Sequence, residues 1–345
     1  MVYRSDEVKV RHLEASHTAV QYGQIVMQLS AKDTGPRSKI GMGCASLGSR
    51  VGRREGLNAL ARAWDAGITW FDVAPSYGDA EAEAILGDFV QGRRDKLRIC
   101  TKVGIRPART PLLLRAAKPV VRVIVDSVPM VRKYVTSARP KAKSLPITAE
   151  LISASLDESL QRLRTDHVEV LALHEADENE VVRDDILAVL ERIIRSGKAK
   201  TISIASSLEA GLLGVAHSSI YQIIQVANNP FEPSLAEAAR RQPPGRPITF
   251  VTHSAYGTSG ALDRLRELIE SNAIRLQVLR EAGYRGSSEE IAAAFLADYA
   301  LATNKDGITL FSMFKKEHLE FNLRRLEQMP AKTRLQELAK GLAAT

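Results

Sequence analysis

Cysteine is scarce in this chain, with only Cys44 and Cys100 among 345 residues. Each lies inside an apolar, strand-like run and reads as a buried reduced thiol, so a disulfide framework has nothing to build on. No Cys/His cluster has zinc spacing, and no metal is expected. No apolar run reaches transmembrane length without charges, which argues against stable membrane insertion. The first residues, Met-Val-Tyr-Arg-Ser-Asp-Glu, lack a signal peptide's apolar core, so a cytoplasmic location is expected. No Gly-x-Gly-x-x-Gly follows the first strand-like run, which leaves a Rossmann domain unsupported.

The length allows two average domains or one large α/β barrel, and 45% hydrophobic residues suffice for a substantial core. The net charge of +8 is concentrated. Between Gly104 and Ile147 lie ten Lys/Arg (Arg106, Arg109, Arg115, Lys118, Arg122, Arg132, Lys133, Arg139, Lys141 and Lys143) against Asp126 alone. Ten against one gives this segment +9 and leaves −1 for the remainder. A general nucleic-acid surface is therefore not expected; the basicity belongs to one insert.

From Ile40 onward, strand and helix patterns alternate. Strands are expected at Ile40–Ala45, Thr69–Val73, Leu97–Val103, Val168–His174, Lys200–Ser206, Tyr221–Ala227, Ile248–His253 and Gly307–Phe311. Amphipathic segments run over Arg54–Ala66, Ala80–Val90, Ala149–Leu163, Glu180–Arg195, Leu208–Ala216, Pro233–Arg240 and Ala261–Glu270. Two more, Ser288–Thr303 and Lys315–Glu327, flank the last strand. Eight strand and helix pairs in series fit a single (β/α)8 TIM barrel over 39–330, with an insert at 104–147 after strand 3. Residues 1–38 read as an N-terminal extension forming a hairpin, and 331–345 as a C-terminal tail.

The most informative stretch is Ile68-Thr-Trp-Phe-Asp72-Val-Ala-Pro-Ser-Tyr77-Gly78. Its apolar run is a buried strand broken by Pro75 and Gly78, with a carboxylate at the strand end and a phenol five residues on. Strand 3 ends with Lys102. A nearby ammonium is expected to lower the phenol's pKa, and a carboxylate to hold the ammonium charged. The other reading of Asp72 is a turn former. An unpaired lysine is costly to bury, so each member of the Asp72–Lys102 pair supports the other. His174, closing the fourth strand, is on its own a satisfied core histidine, and His167, His217 and His318 are structural.

Asp72-x4-Tyr77-Gly78, Glu83-x2-Leu86-Gly87, Thr101-Lys102 and His174 at its strand end together resemble the aldo-keto reductase signature. The resemblance runs with breaks from about Ile40 to Asn322. It implies reversible hydride transfer between a nicotinamide and a carbonyl carbon. Tyr77 would be proton donor, Lys102 and Asp72 would tune it, and His174 would orient the carbonyl. Ser206 stands in place of the family's Ser-Asn, and Gln225 matches its carboxamide-binding glutamine. His253 falls where the family stacks a tyrosine on the nicotinamide, with Tyr256 a rival for that place. The same comparison adds Cys44 and Ser254 to the cofactor set. Lys315, Lys316 and Asn322 resemble the phosphate-and-adenosine segment, although its usual glycine is missing. NADP is the expected cofactor, with NAD the alternative.

The basic insert falls on the barrel's active-site side. It reads equally as a solvated loop and as a lid drawing in an anionic or sugar-like substrate. Its length resembles the family's sugar-oxidising branch, the D-threo-aldose and L-galactose dehydrogenases. Two rivals stay open: a non-catalytic nucleotide-binding regulatory barrel, and a barrel aldolase using Lys102 as a Schiff-base amine.

Overall fold

The computed structural model describes residues 36–107, 146–241, 247–257 and 260–343. The expected N-terminal hairpin and nearly all of the basic insert lie outside these residues. Eight parallel strands close into one barrel in chain order: β1 (Ile40–Gly43), β2 (Trp70–Asp72), β3 (Arg98–Val103), β4 (Val168–His174), β5 (Ala199–Ala205), β6 (Tyr221–Ala227), β7 (Thr249–His253) and β8 (Ile308–Phe311). A (β/α)8 barrel needs strands buried on both faces, and the near-continuous apolar runs supply them.

The surrounding helices are α1 (Arg53–Asp65), α2 (Glu81–Val90), α3 (Ala149–Leu163), α4 (Asp184–Arg195), α5 (Leu208–His217) and α6 (Ser234–Arg241). After β7 come α7 (Ala261–Glu270), α8 (Ala273–Glu281) and α9 (Ser288–Thr303); α10 (Lys316–Glu327) and α11 (Lys332–Ala343) follow β8. Local chemistry starts several of them. The Thr148 hydroxyl accepts from Leu151 N at 3.2 Å ahead of α3, Ser207 does the same for α5, and Ser287 with Glu290 forms a capping box at α9.

Two helices differ from the sequence reading. The segment Ala273–Glu281 was not expected as a helix, and the stretch read as a tail forms α11. Leu335 and Leu342 of α11 are buried with Leu279 of α8 and Phe295 of α9, a second apolar cluster outside the barrel. Beneath it Asp298 is fully buried, accepting from Arg325 Nε at 2.7 Å and from Tyr284 OH at 2.8 Å.

Inside the barrel, side chains from alternate strands share layers. Following the strand registers with a stagger of about one residue per strand places Asp72, Ala172, Gln225 and Leu310 in one layer. Gly41, Cys100, Ser203 and Val251 lie beneath it; Gly43, Lys102, Ala205 and His253 lie above. Polar residues thus accumulate toward the C-terminal end of the strands, where barrels of this kind carry their sites.

Candidate functional site

Asp72 is the last residue of β2, His174 the last of β4, and Lys102 the last but one of β3. Asp72 and Lys102 are both buried and directly bonded, Lys102 Nζ donating to Asp72 Oδ1. Tyr77 opens a short 3-10 turn after β2. Gly78 makes this turn feasible: its φ is +59°, and a Cβ there would lie 2.5 Å from Leu47 O. The loop therefore seats directly on the turn after β1 and carries Tyr77 back over the barrel. Lys102 Nζ lies 5.7 Å from the Tyr77 ring centroid, and the Tyr77 and His174 rings meet edge to face at 6.4 Å. Four residues distant in sequence share one mouth.

Two further signature residues act on this arrangement from behind. Glu83, fully buried on α2, accepts from Thr101 Oγ1 at 2.6 Å and from Arg162 Nε at 2.7 Å. That bond clamps β3 one residue before Lys102. At Gly87 a Cβ would lie 2.2 Å from Arg162 O, so α2 and α3 touch backbone to side-chain-free backbone.

The protonation states follow from burial and from the ion pair. Burial works against the Lys102 ammonium, but Asp72 and the neighbouring Tyr77 more than offset it, so its pKa rises and the amine stays charged. A charged amine has no lone pair for attack on a carbonyl, which removes the physical basis for the Schiff-base reading. Burial pushes the Tyr77 phenol up to about 12, only partly countered by Lys102. This corrects the expectation of a lowered phenol pKa: desolvation outweighs the ammonium, and the free chain holds Tyr77 protonated at neutral pH. Burial, then Lys102, pulls His174 down to about 3, and the same causes bring His253 to about 4. Both imidazoles are neutral near pH 7.

Of the residues expected at a cofactor, Gln225 and His253 lie on the interior near the quartet. His253 Nδ1 is 2.9 Å from Ser254 Oγ, and Ser254 holds a left-handed φ of 56°. Tyr256 is not placed with them; its hydroxyl donates to Asn322 Oδ1 at 3.1 Å and its ring meets Phe311. Ser206 Oγ donates to Ala176 O at 2.6 Å, so its hydroxyl is left with acceptor capacity only. Cys44 is fully buried with its thiol toward Met42 O. Asn322 is buried on α10, apart from the quartet, while Lys315 and Lys316 are exposed at that helix's start. No side chain caps α10, and Lys316 faces Glu320 at 3.6 Å. Sequence reading missed one contact to Asp72. Gln225 Nε2 donates to Oδ2 at 2.8 Å. Among the described residues no group of His, Cys, Asp and Glu could hold a metal ion, and no helix is long and apolar enough to cross a membrane.

Residues 39–334 match the sequence profile of the Aldo/keto reductase family. The chain belongs to this family. Among its relatives, a D-threo-aldose 1-dehydrogenase of Pseudomonas sp is 30% identical over 200 residues, covering 54% of this chain and 56% of the relative. The L-galactose dehydrogenase of Arabidopsis thaliana is 24% identical over 48% of this chain and 44% of its own. The chain thus spans about half the length of these curated relatives. An aldo-keto reductase of Klebsiella pneumoniae, solved in complex with NADPH, superposes with a TM-score of 0.59 at 16% identity, covering 88% of this aldo/keto reductase and 90% of that chain. A holo-form aldo-keto reductase of Bacillus halodurans gives 0.59 at 18%, over 88% and 91%. At such identities the likeness concerns the fold.

Proposed function

We propose that this aldo/keto reductase interconverts a carbonyl and an alcohol on a small sugar-like substrate, using NADP in preference to NAD. The observation that carries the reading is the buried Asp72–Lys102 pair with Tyr77 and a neutral His174 above it, at the end of the barrel where such folds place their chemistry. Substrate and cofactor preference draw on the sugar dehydrogenases among the relatives and on the NADPH-bound neighbour.

The residues present suit a nicotinamide dinucleotide. Gln225 Oε1 is buried without a partner and is an acceptor for a carboxamide N–H. Ser206 keeps acceptor capacity, and His253, steadied by Ser254, offers a ring face. The uncapped start of α10 offers backbone amides, with Lys315 and Lys316 as cations for a 2′-phosphate. Asn322 serves at the adenosine end, and Cys44, fully buried, bonds the Asp72 carbonyl through its backbone N–H at 2.8 Å. When bound, the nicotinamide supplies or accepts the hydride.

The chain's own part is proton placement. Neutral His174 directs an N–H at the carbonyl oxygen and orients it. Tyr77, held protonated, gives its proton to that oxygen as alkoxide develops. Lys102, kept cationic by Asp72, stabilises the phenolate left behind and returns the system to its starting state when a proton is regained. The +9 carried by residues 104–147 would favour an anionic or polyhydroxylated substrate by steering that weakens with salt.

The test is direct: mix the purified chain with NADPH or NADH and a panel of aldoses and simple aldehydes, and follow nicotinamide absorbance. Carbonyl-dependent oxidation, faster with NADPH, is expected. Tight nucleotide binding with no turnover on any carbonyl, or on the corresponding alcohols, would favour a regulatory barrel instead.

A further inference from the structure

The Asp72 carboxylate is held at both oxygens from opposite sides of the barrel. Lys102 on β3 takes Oδ1, and Gln225 on β6 donates to Oδ2 at 2.8 Å. Gln225 and Asp72 belong to the same interior layer, which is how side chains 153 positions apart meet. Gln225 is 2% exposed and Asp72 3%, so neither can trade this bond for water. The amide cannot be turned over: reversing it would set two oxygens against each other in a dry interior. Its orientation is therefore set by Asp72, and its own Oε1 is left buried and unpartnered. With one oxygen on each donor, the carboxylate plane is fixed, and with it the Lys102 ammonium beneath Tyr77.

We propose that Gln225 is a positioning residue: its amide N–H locks the Asp72 carboxylate in the orientation that holds Lys102 under Tyr77. The partner of Oε1 rests on the nicotinamide reading above. A carboxamide N–H arriving at Oε1 would polarise the amide and strengthen the Nε2–H···Oδ2 bond, so one side chain would link cofactor occupancy to the ion pair. The titratable groups facing that carboxylate are Lys102 and Cys100 from β3, Cys44 after β1, Tyr77, His174 from β4 and His253 from β7. None of them adds a second carboxylate to the layer, so in the free protein, with no carboxamide at Oε1, one introduced at position 225 reports on the Asp72 contact.

Gln225→Glu and Gln225→Met in the full chain test this. Glutamate keeps the shape but sets like charges together unless the pair shares a proton; Met removes the donor without adding charge. At saturating cofactor, the kcat deficit of Gln225→Glu should grow at least about tenfold between about pH 6 and about pH 8.5. That of Gln225→Met should stay constant with pH, at roughly tenfold to a hundredfold, the scale of a misplaced reacting group. In the free protein, the introduced carboxylate has a folded pKa raised above its unfolded value near ~4.3. Stability is therefore lost as pH rises toward that raised value, and the thermal midpoint of Gln225→Glu should fall relative to wild type over the same range. Wild-type kcat in both variants at saturating cofactor, with a Gln225→Glu midpoint running parallel to wild type, would overturn the inference. Wild type inactive on every carbonyl would instead count against the functional reading, and the midpoint comparison alone would then decide the contact.

Discussion

Asp72 and Glu169 are both almost fully buried carboxylates bonded to a cation, yet their surroundings differ. Glu169 sits near the N-terminal end of β4. It accepts from Arg94 through both oxygens at 3.0 and 3.2 Å, from Lys200 Nζ at 3.0 Å and from Ile99 N at 2.9 Å. Arg94 in turn reaches the carbonyls of Leu97 and His167 and the Thr165 hydroxyl. At the other end of the barrel, the Asp72 layer contains an unpartnered Gln225 Oε1, and the layer below holds an unpartnered Ser203 Oγ. A neutral imidazole and a desolvated phenol stand above. A fully answered polar network rigidifies the scaffold; one with open positions has room for something else to answer it.

The comparison can be broken by removing each carboxylate in turn. Asp72→Ala strands a buried ammonium and should cost about 3–5 kcal/mol of unfolding free energy, while also abolishing turnover in the folded fraction. Glu169→Ala, measured by the same denaturant titration, should lose a similar amount because the largely buried Arg94 guanidinium and the Ile99 N–H lose their carboxylate, yet keep near-normal kcat in the protein that stays folded. Equal loss of kcat in both would erase the distinction between the two ends.

A smaller effect sharpens the site's side of the contrast. His174 and His253 have folded pKa values of about 3 and about 4, below the unfolded value near ~6.5. Their contribution is complete above ~6.5 and is lost as pH falls through the depressed values, since only the unfolded chain binds those protons readily. Thermal midpoints of His174→Gln between neutral pH and about pH 4 should therefore decline less steeply than wild type. Gly87→Ala, which forces α2 from the Arg162 carbonyl, should cost about 1–3 kcal/mol by thermal unfolding and leave cofactor affinity unchanged. The smallest change is at the rim: Lys315→Ala should weaken NADPH by about tenfold and NADH hardly at all, read by fluorescence titration. Equal weakening of both would remove the phosphate assignment.

The barrel was legible because its strands are written as β-branched runs closed by turn residues; β4 and β6 span the same residues in sequence reading and in three dimensions. Of the four side chains now sharing the mouth, Asp72, Lys102 and His174 were legible as strand-end residues and Tyr77 as the phenol on the loop after β2, all four in family order. Helix α8 was not, because Ile274 and Val278 face outward, 73% and 38% exposed, while Leu279 is buried. Apolar residues on both sides blur the 3.6-residue stripe, although Asn272, accepting from Ile274 N at 3.0 Å, is a visible cap. The protonation of Tyr77 was misread for a different reason. The opposing effects of burial and ammonium cannot be weighed without knowing how far the loop is desolvated. The Gln225–Asp72 bond depends on barrel stagger, which no local pattern records.

The central claim is that the phenol of Tyr77 is the proton donor at this mouth. Tyr77→Phe, assayed with NADPH and the best carbonyl from the panel, should lower kcat by about 10²–10⁴-fold while nucleotide affinity by fluorescence stays within a factor of about two. Turnover retained within about tenfold of wild type would contradict the assignment and the mechanism built on it.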